Sequence, residues 1–265
     1  MTEVKPDAIL LSEGAAIGRP RGPVLDEMCE ASYSYGFFRR VVWRLVLKSG
    51  KISPTFMRAL NEYQRKQVEA LAAMGEVTTE GLVRFLAEEP VWHNRARVRF
   101  SETHDTPRMS ALNPSVSKPI AVLISTVPGI PMIQAGQEVG ASNAFDWGPG
   151  TRVDWAGGDY ELREFYKKVF KVRSGSDALK YGTIESVWRG GDNLLAYARR
   201  YRGEDVVVLV NFSGREVTST LDLSFLKAGA VLKDALSDEE LIVGEADRFR
   251  VTVPAHGAMI LLPQS

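Results

Sequence analysis

Of the 265 residues, 33 are Lys or Arg and 33 are Asp or Glu, so the formal net charge is zero and nothing favours nucleic acid or another polyanion as partner. Apolar residues make up 45% and charged residues 25%, and no apolar run approaches the roughly eighteen residues of a membrane span, so a soluble globular protein without a membrane partner is expected. One cysteine, Cys29, excludes an internal disulfide, and three histidines beside it are too few for a structural zinc site unless carboxylates dominate it.

The chain opens with MTEVKPDAILLSEG, which lacks the charged n-region and cleavage pattern of a signal peptide, so a cytoplasmic location is expected. Within it, the AILL run (8–11) reads as a short buried parallel strand ending in Ser12, Glu13 and Gly14. A Gly/Pro loop (18–23) follows, then a brief stretch at Tyr33–Tyr35 and a helical stretch over 37–48. Ser53-Pro54 supplies an N-cap and a first-turn proline for a helix to about Met74, and Thr78 or Thr79 caps another to about Glu88. VRFSETHD (98–105) is a second strand with polar residues at its end. An apolar helix within 118–127, a strand PMIQA (131–135) and an amphipathic helix over 161–173 come next.

From about Lys180 the pattern alternates and becomes β-rich: TIESVW, LLAYARRY, DVVVLVNF, VTSTLDL, FRVTV and GAMILL, separated by Gly, Asp, Ser and Pro. The expected organisation is an α/β domain over 1–178 and an antiparallel β-sandwich domain over 179–265. Four strand-and-helix units are awkward by themselves, because a four-stranded parallel sheet leaves two unpaired edges unless something closes them. The pattern suggests half of a larger sheet.

Three motifs carry chemistry. SETHDTPR (101–108) resembles the HD-containing seventh-strand motif of the α-amylase family of glycoside hydrolases and transglycosidases, and GIPMIQAGQEVG (129–140) resembles that family's eighth-strand motif. LLSEG (10–14) looks like the fifth-strand motif, and the β-rich tail is similar to the sandwich that follows the barrel. The resemblance implies an α/β fold: the C-terminal half of a (β/α)8 TIM barrel, strands five to eight, followed by an all-β sandwich. It implies Glu13 as general acid/base, Asp105 as the carboxylate stabilising the transition state, and His104 and Arg108 as substrate-binding residues, with an ion pair the first reading of Arg108. Gly129, Pro131, Gly136 and Glu138 read as architectural. Trp43, Trp92 and Trp147 read first as packing residues, with sugar stacking as the alternative.

Two departures matter. Thr103 stands where the family usually has Asn before the HD pair. The family's nucleophilic Asp and nearby Arg belong to the fourth strand, and no residue of this chain occupies their place, unless another carboxylate such as Asp146 or Asp154 takes the role. Met1 sits just before the fifth strand, which leads to the expectation of a separately made half whose partner chain carries strands one to four and the nucleophile. Together the halves would act on α-linked oligo- or polysaccharides. No cofactor is expected, and calcium, common in the family, would be held mainly by the other half. The alternative is a non-catalytic glucan-binding or regulatory half-barrel.

Overall fold

The computed structural model describes residues 9–13, 29–50, 52–59, 62–88, 96–143, 152–188 and 194–264. Trp92, Asp146, Trp147 and the Gly/Pro loop at 18–23 lie outside these residues.

Four short strands, β1 (Leu11–Ser12), β2 (Ala31–Tyr33), β3 (Ala96–Arg99) and β4 (Ile130–Pro131), form one sheet in that order. Every pair is parallel, with Leu11 opposite Ala31, Ser32 opposite Arg97, and Val98 opposite Ile130. Parallel pairing puts all four C-terminal ends on one edge of the sheet, which is what brings distant loops together. The expected strands were longer. The strand read over 98–105 ends at Arg99, because the chain then turns through hydrogen bonds among Thr103, Asp105 and Thr106. The strand read over 131–135 stops at Pro131, where Gln134 and Gln137 fold the chain into a turn.

Helices lie between the strands. After β2, Ser34 caps Tyr35–Phe37, which continues through a π-helical stretch, Phe38–Val42, into Trp43–Lys48. Trp43 is buried edge-on against Phe38, so it packs and does not face a ligand. The single helix read from Ser53 to Met74 is described as Pro54–Ala59 and Glu62–Ala73. Thr78 caps Thr79–Glu88 by accepting from Gly81 N–H, while the hydroxyl of Thr79 accepts from Ala196 N–H, 117 residues away. Among the described residues no helix is long and apolar enough to cross a membrane.

The β-rich tail forms β5 (Thr183–Ser186), β6 (Leu194–Tyr201), β7 (Glu204–Asn211), β8 (Val217–Leu221), β9 (Val231–Asp234), β10 (Glu240–Ile242), β11 (Phe249–Val253) and β12 (Ala258–Pro263). They make a six-stranded antiparallel sheet in the order β10-β9-β12-β7-β6-β5 and a two-stranded sheet, β11-β8. The continuous apolar runs in β6 and β7 have a simple cause: both faces are covered. Leu195, Tyr197, Val206, Val208 and Val210 pack on the helices, whereas Leu194, Ala196, Ala198, Val207 and Leu209 pack toward β8 and β11. β8 and β11 alternate buried and exposed residues because only one face is covered.

Two buried arginines converge on the Ser117–Thr126 helix, Arg173 from the Tyr160–Gly175 helix and Arg199 from β6 of the tail. Arg199 donates to the carbonyls of Thr126, Gly182 and Thr183, and Arg173 donates to those of Ser125, Leu179 and Gly129. Ser125 and Thr126 end the Ser117–Thr126 helix, so both guanidiniums sit at the negative end of its dipole. Burial lowers Arg199 to about 10, with Arg173 adding to the effect and Tyr197 opposing it.

The β6–β7 hairpin turns through Arg202 and Gly203, both with positive φ (48° and 89°), with Tyr201 opposite Glu204. A two-residue turn of this kind favours Asn-Gly, and a non-glycine residue there carries strain. Arg202 also lies over the Tyr201 ring at 5.1 Å, a contact that offsets part of the strain. Arg202→Asn is expected to raise stability by about 0.5 kcal/mol, read as a higher urea midpoint with an unchanged slope.

Candidate active site

At the C-terminal edge of the parallel sheet, Glu13 follows β1 and His104 and Asp105 follow β3. The structure brings all three together. His104 Nε2 lies 3.8 Å from Glu13 Oε1 and 3.4 Å from Asp105 Oδ2. One donor atom from each lies within 4.8 Å of the others, and among the described residues these are the group with metal-ligand chemistry. Both carboxylates are about half exposed and the imidazole less so. The arrangement presents two carboxylates and a ring nitrogen to one point at the rim of the sheet, suited to polar groups of a ligand entering from solvent.

The loop that carries His104 and Asp105 is held at several points. Thr103 Oγ1 accepts from Asp105 N–H at 3.2 Å, and Thr106 Oγ1 accepts from Thr103 N–H at 2.7 Å. Threonine at 103 therefore fixes the Asp105 backbone with its own hydroxyl. Below the loop, Glu102 closes it like a clasp: Oε1 accepts from Arg108 Nη1 at 2.8 Å and Oε2 from Met109 N–H at 2.7 Å. Glu102 is 1% and Arg108 4% exposed. Burial pushes the Glu102 carboxyl up, Arg108 and the Met109 N–H pull it back, and Glu138 adds a smaller upward push.

Arg108 does not reach the cluster. Its second Nη donates to the carbonyl of Ala135 at 2.9 Å, tying the β3 loop to the β4 loop. The structure thus shows Arg108 in the ion pair that was its first reading, with Glu102 as the partner. The segment over 129–140 is architectural in the same sense. Gly129 has φ +125°, and a Cβ there would lie 2.4 Å from the Arg97 carbonyl. Gly136 has φ +92° and packs on Val153, and Glu138 accepts from its N–H at 2.9 Å. Asp154 accepts from Gly157 N–H within its own turn.

Sequence reasoning passed over two tyrosines here. Burial and the Glu13 charge raise the phenol of Tyr33. Burial, Glu13 and Asp105 raise that of Tyr35, with the Thr103 side chain opposing them. Both pack on Phe100 at 5.2–5.5 Å between ring centres and form a wall beside the carboxylates. Their period-two spacing at the end of β2 was the available signal.

Residues 186–260 match the family described as "Maltogenic Amylase, C-terminal domain". This region is similar to the C-terminal domain of maltogenic amylases. A cyclomaltodextrinase of Thermoanaerobacter pseudethanolicus is 27% identical over 191 residues, covering 70% of this chain and 32% of the relative. An amylopullulanase of Thermoanaerobacter thermohydrosulfuricus is 30% identical over 134 residues, 46% of this chain and 9% of the relative. The α-amylase of Geobacillus thermoleovorans, solved with acarbose, superposes with a TM-score of 0.73 over 100% of this chain and 55% of its own, at 18% identity. The chain thus spans a third or less of these two curated relatives and about half of the solved structure.

Proposed function

We propose that the chain supplies strands five to eight of an α-amylase-type (β/α)8 barrel with its C-terminal sandwich. In this reading it acts on α-linked glucans, by hydrolysis or glycosyl transfer, in assembly with a partner chain that carries strands one to four and the nucleophilic Asp. The observation that carries this is the meeting of Glu13 and Asp105 around His104, from loops more than 90 residues apart, on the edge where barrel enzymes hold their catalytic groups.

Glu13 would protonate the glycosidic oxygen as its bond to the anomeric carbon breaks, while the partner's Asp attacks that carbon. The resulting carboxylate would then take a proton from water or a sugar hydroxyl that releases the glycosyl group. Asp105 would accept hydrogen bonds from sugar hydroxyls and oppose the positive charge developing at the ring. His104 would donate to the same sugar. Glu102 and Arg108 act through the loop, as positioning residues.

The sheet's edges favour a partner. Ile9 is 79% and Leu11 50% exposed at the β1 edge, and Ile130 is 47% exposed on β4. Edges of this kind call for pairing and cover. Native mass spectrometry of the chain purified from its source is expected to show a co-purifying chain with the missing Asp, and the pair is expected to release or transfer glucose units from an α-glucan. A chain that binds glucan, takes no such partner and never turns substrate over would support the non-catalytic binding or regulatory role.

A further inference from the structure

The chain leaving β4 carries two large aromatic side chains in the open. Trp155 is 45% and Tyr160 48% exposed. Neither is loosely held. Tyr160 Oη donates to the Trp155 carbonyl at 2.8 Å, so the two residues are fixed to each other. The turn between them is closed by Gly157 N–H donating to Asp154 at 2.9 Å, and Asp159 caps the Tyr160–Gly175 helix through Leu162 N–H.

The turn is clamped to the active-site end of the sheet. Asp159 N–H donates to the Val139 carbonyl at 3.0 Å, and a Cβ on Gly158 would lie 2.8 Å from Val139. Val153 packs against Gly136. Two residues beyond Val139, the carbonyl of Ala141 accepts from Ser110 Oγ, on the helix that directly follows the His104–Asp105 loop. Preordered rings lose little freedom on binding, which is the condition for a contact to yield affinity.

The rim of the pair is charged. Arg163 lies over the Tyr160 ring at 5.8 Å, and Arg152, Asp154 and Glu161, neighbours of the two aromatics along the chain, are exposed. Two exposed aromatic rings with charged neighbours along the chain match a ligand that is apolar on its faces and polar at its edges. A pyranose is such a ligand. A protein partner would call for a broader apolar surface.

We propose that Trp155 and Tyr160 form an aromatic platform that binds an α-glucan chain at the same end of the sheet as Glu13, His104 and Asp105, and outside that cluster. The substrate class rests on the functional reading above. The platform holds a longer chain by stacking and leaves the bond-breaking groups unchanged, so it governs affinity for chain length and not the proton transfer.

The test titrates maltoheptaose into the full chain by calorimetry, with cellopentaose as the β-linked control. Trp155→Ala and Tyr160→Ala are each expected to weaken maltoheptaose binding at least about tenfold, or about 1.4 kcal/mol. Trp155→Phe should keep most of the affinity, and Ile242→Ala, an exposed apolar residue on β10, should stay within about twofold of wild type because it lies outside both the platform and the cluster. The wild-type Trp155 indole N–H resonance, assigned by its absence in Trp155→Phe, should shift on titration even if an alanine variant misfolds. If the wild-type chain binds maltoheptaose while the alanine variants bind equally and the indole is silent, the platform is overturned and the glucan reading stands. If the wild-type chain binds no maltoheptaose, the platform is overturned, and the glucan reading is then decided by the native mass spectrometry and turnover of the assembled pair. Equal binding of cellopentaose overturns the assigned class.

Discussion

Glu13→Gln is expected to lower turnover of an α-glucan by about 10²- to 10⁴-fold in the assembled protein, the usual contribution of a positioned general acid. The substitution keeps the side chain's shape and removes only the exchangeable proton, so binding of substrate and partner should be unchanged. The diagnostic arm uses an aryl α-glucoside whose phenol is acidic enough to leave without a proton. On that substrate the bond-breaking step no longer needs Glu13, and the deficit in the first, burst phase of phenol release should shrink toward wild type. An equal deficit on both substrates would mean that Glu13 organises the site without donating to the leaving oxygen.

The second large effect is on stability. Arg108→Met leaves the Glu102 carboxylate buried with the Met109 N–H as its remaining donor among the bonds described, and should cost about 3–5 kcal/mol near neutral pH. The sign of its pH dependence follows from the upward displacement of Glu102. A carboxyl raised above its unfolded value is protonated in both states at low pH, and penalises folding progressively as pH climbs from the unfolded pKa through the folded one. Without Arg108 the folded value rises further. The gap between Arg108→Met and wild type should therefore be small at about pH 4 and widen toward pH 7, measured by urea denaturation at each pH. A gap that is constant with pH would place the loss in packing, not in an unpaired buried charge. At pH 7 the same variant should also impair turnover, because the clasp spans the loop that presents Asp105.

Much of the site could be read from sequence because its parts fall at strand ends, where short apolar runs stop and a polar group follows. LLSEG and THD have that form, and the parallel order of β1 to β4 then brings their ends together. Arg108 shows where such reading stops. An ion pair was its first reading, but Glu102 and Arg108 are six residues apart, a spacing with no helical or strand meaning, and only the fold of the loop makes Glu102 the partner and buries the pair. Strand length was overestimated for a related reason: apolar composition marks what is buried, whereas the hydrogen bonds of Thr103, Gln134 and Gln137 decide where pairing ends. Trp155 and Tyr160 carried no periodic signal, since their exposure comes from one turn held by Val139.

The arginines at the carbonyl end of the Ser117–Thr126 helix bear on modular exchange. A β-rich tail joined through a linker can be shuffled between proteins as a cassette. This one contributes Arg199 to the last turn of a helix it does not contain, and Tyr197 with the Val206, Val208 and Val210 face to the core beneath that helix. A chain cut after residue 178 would strip that core and leave the Thr126 carbonyl without its guanidinium. A foreign tail would graft only if it offered an arginine in the register of Arg199, so recombination at this boundary should accept few donors.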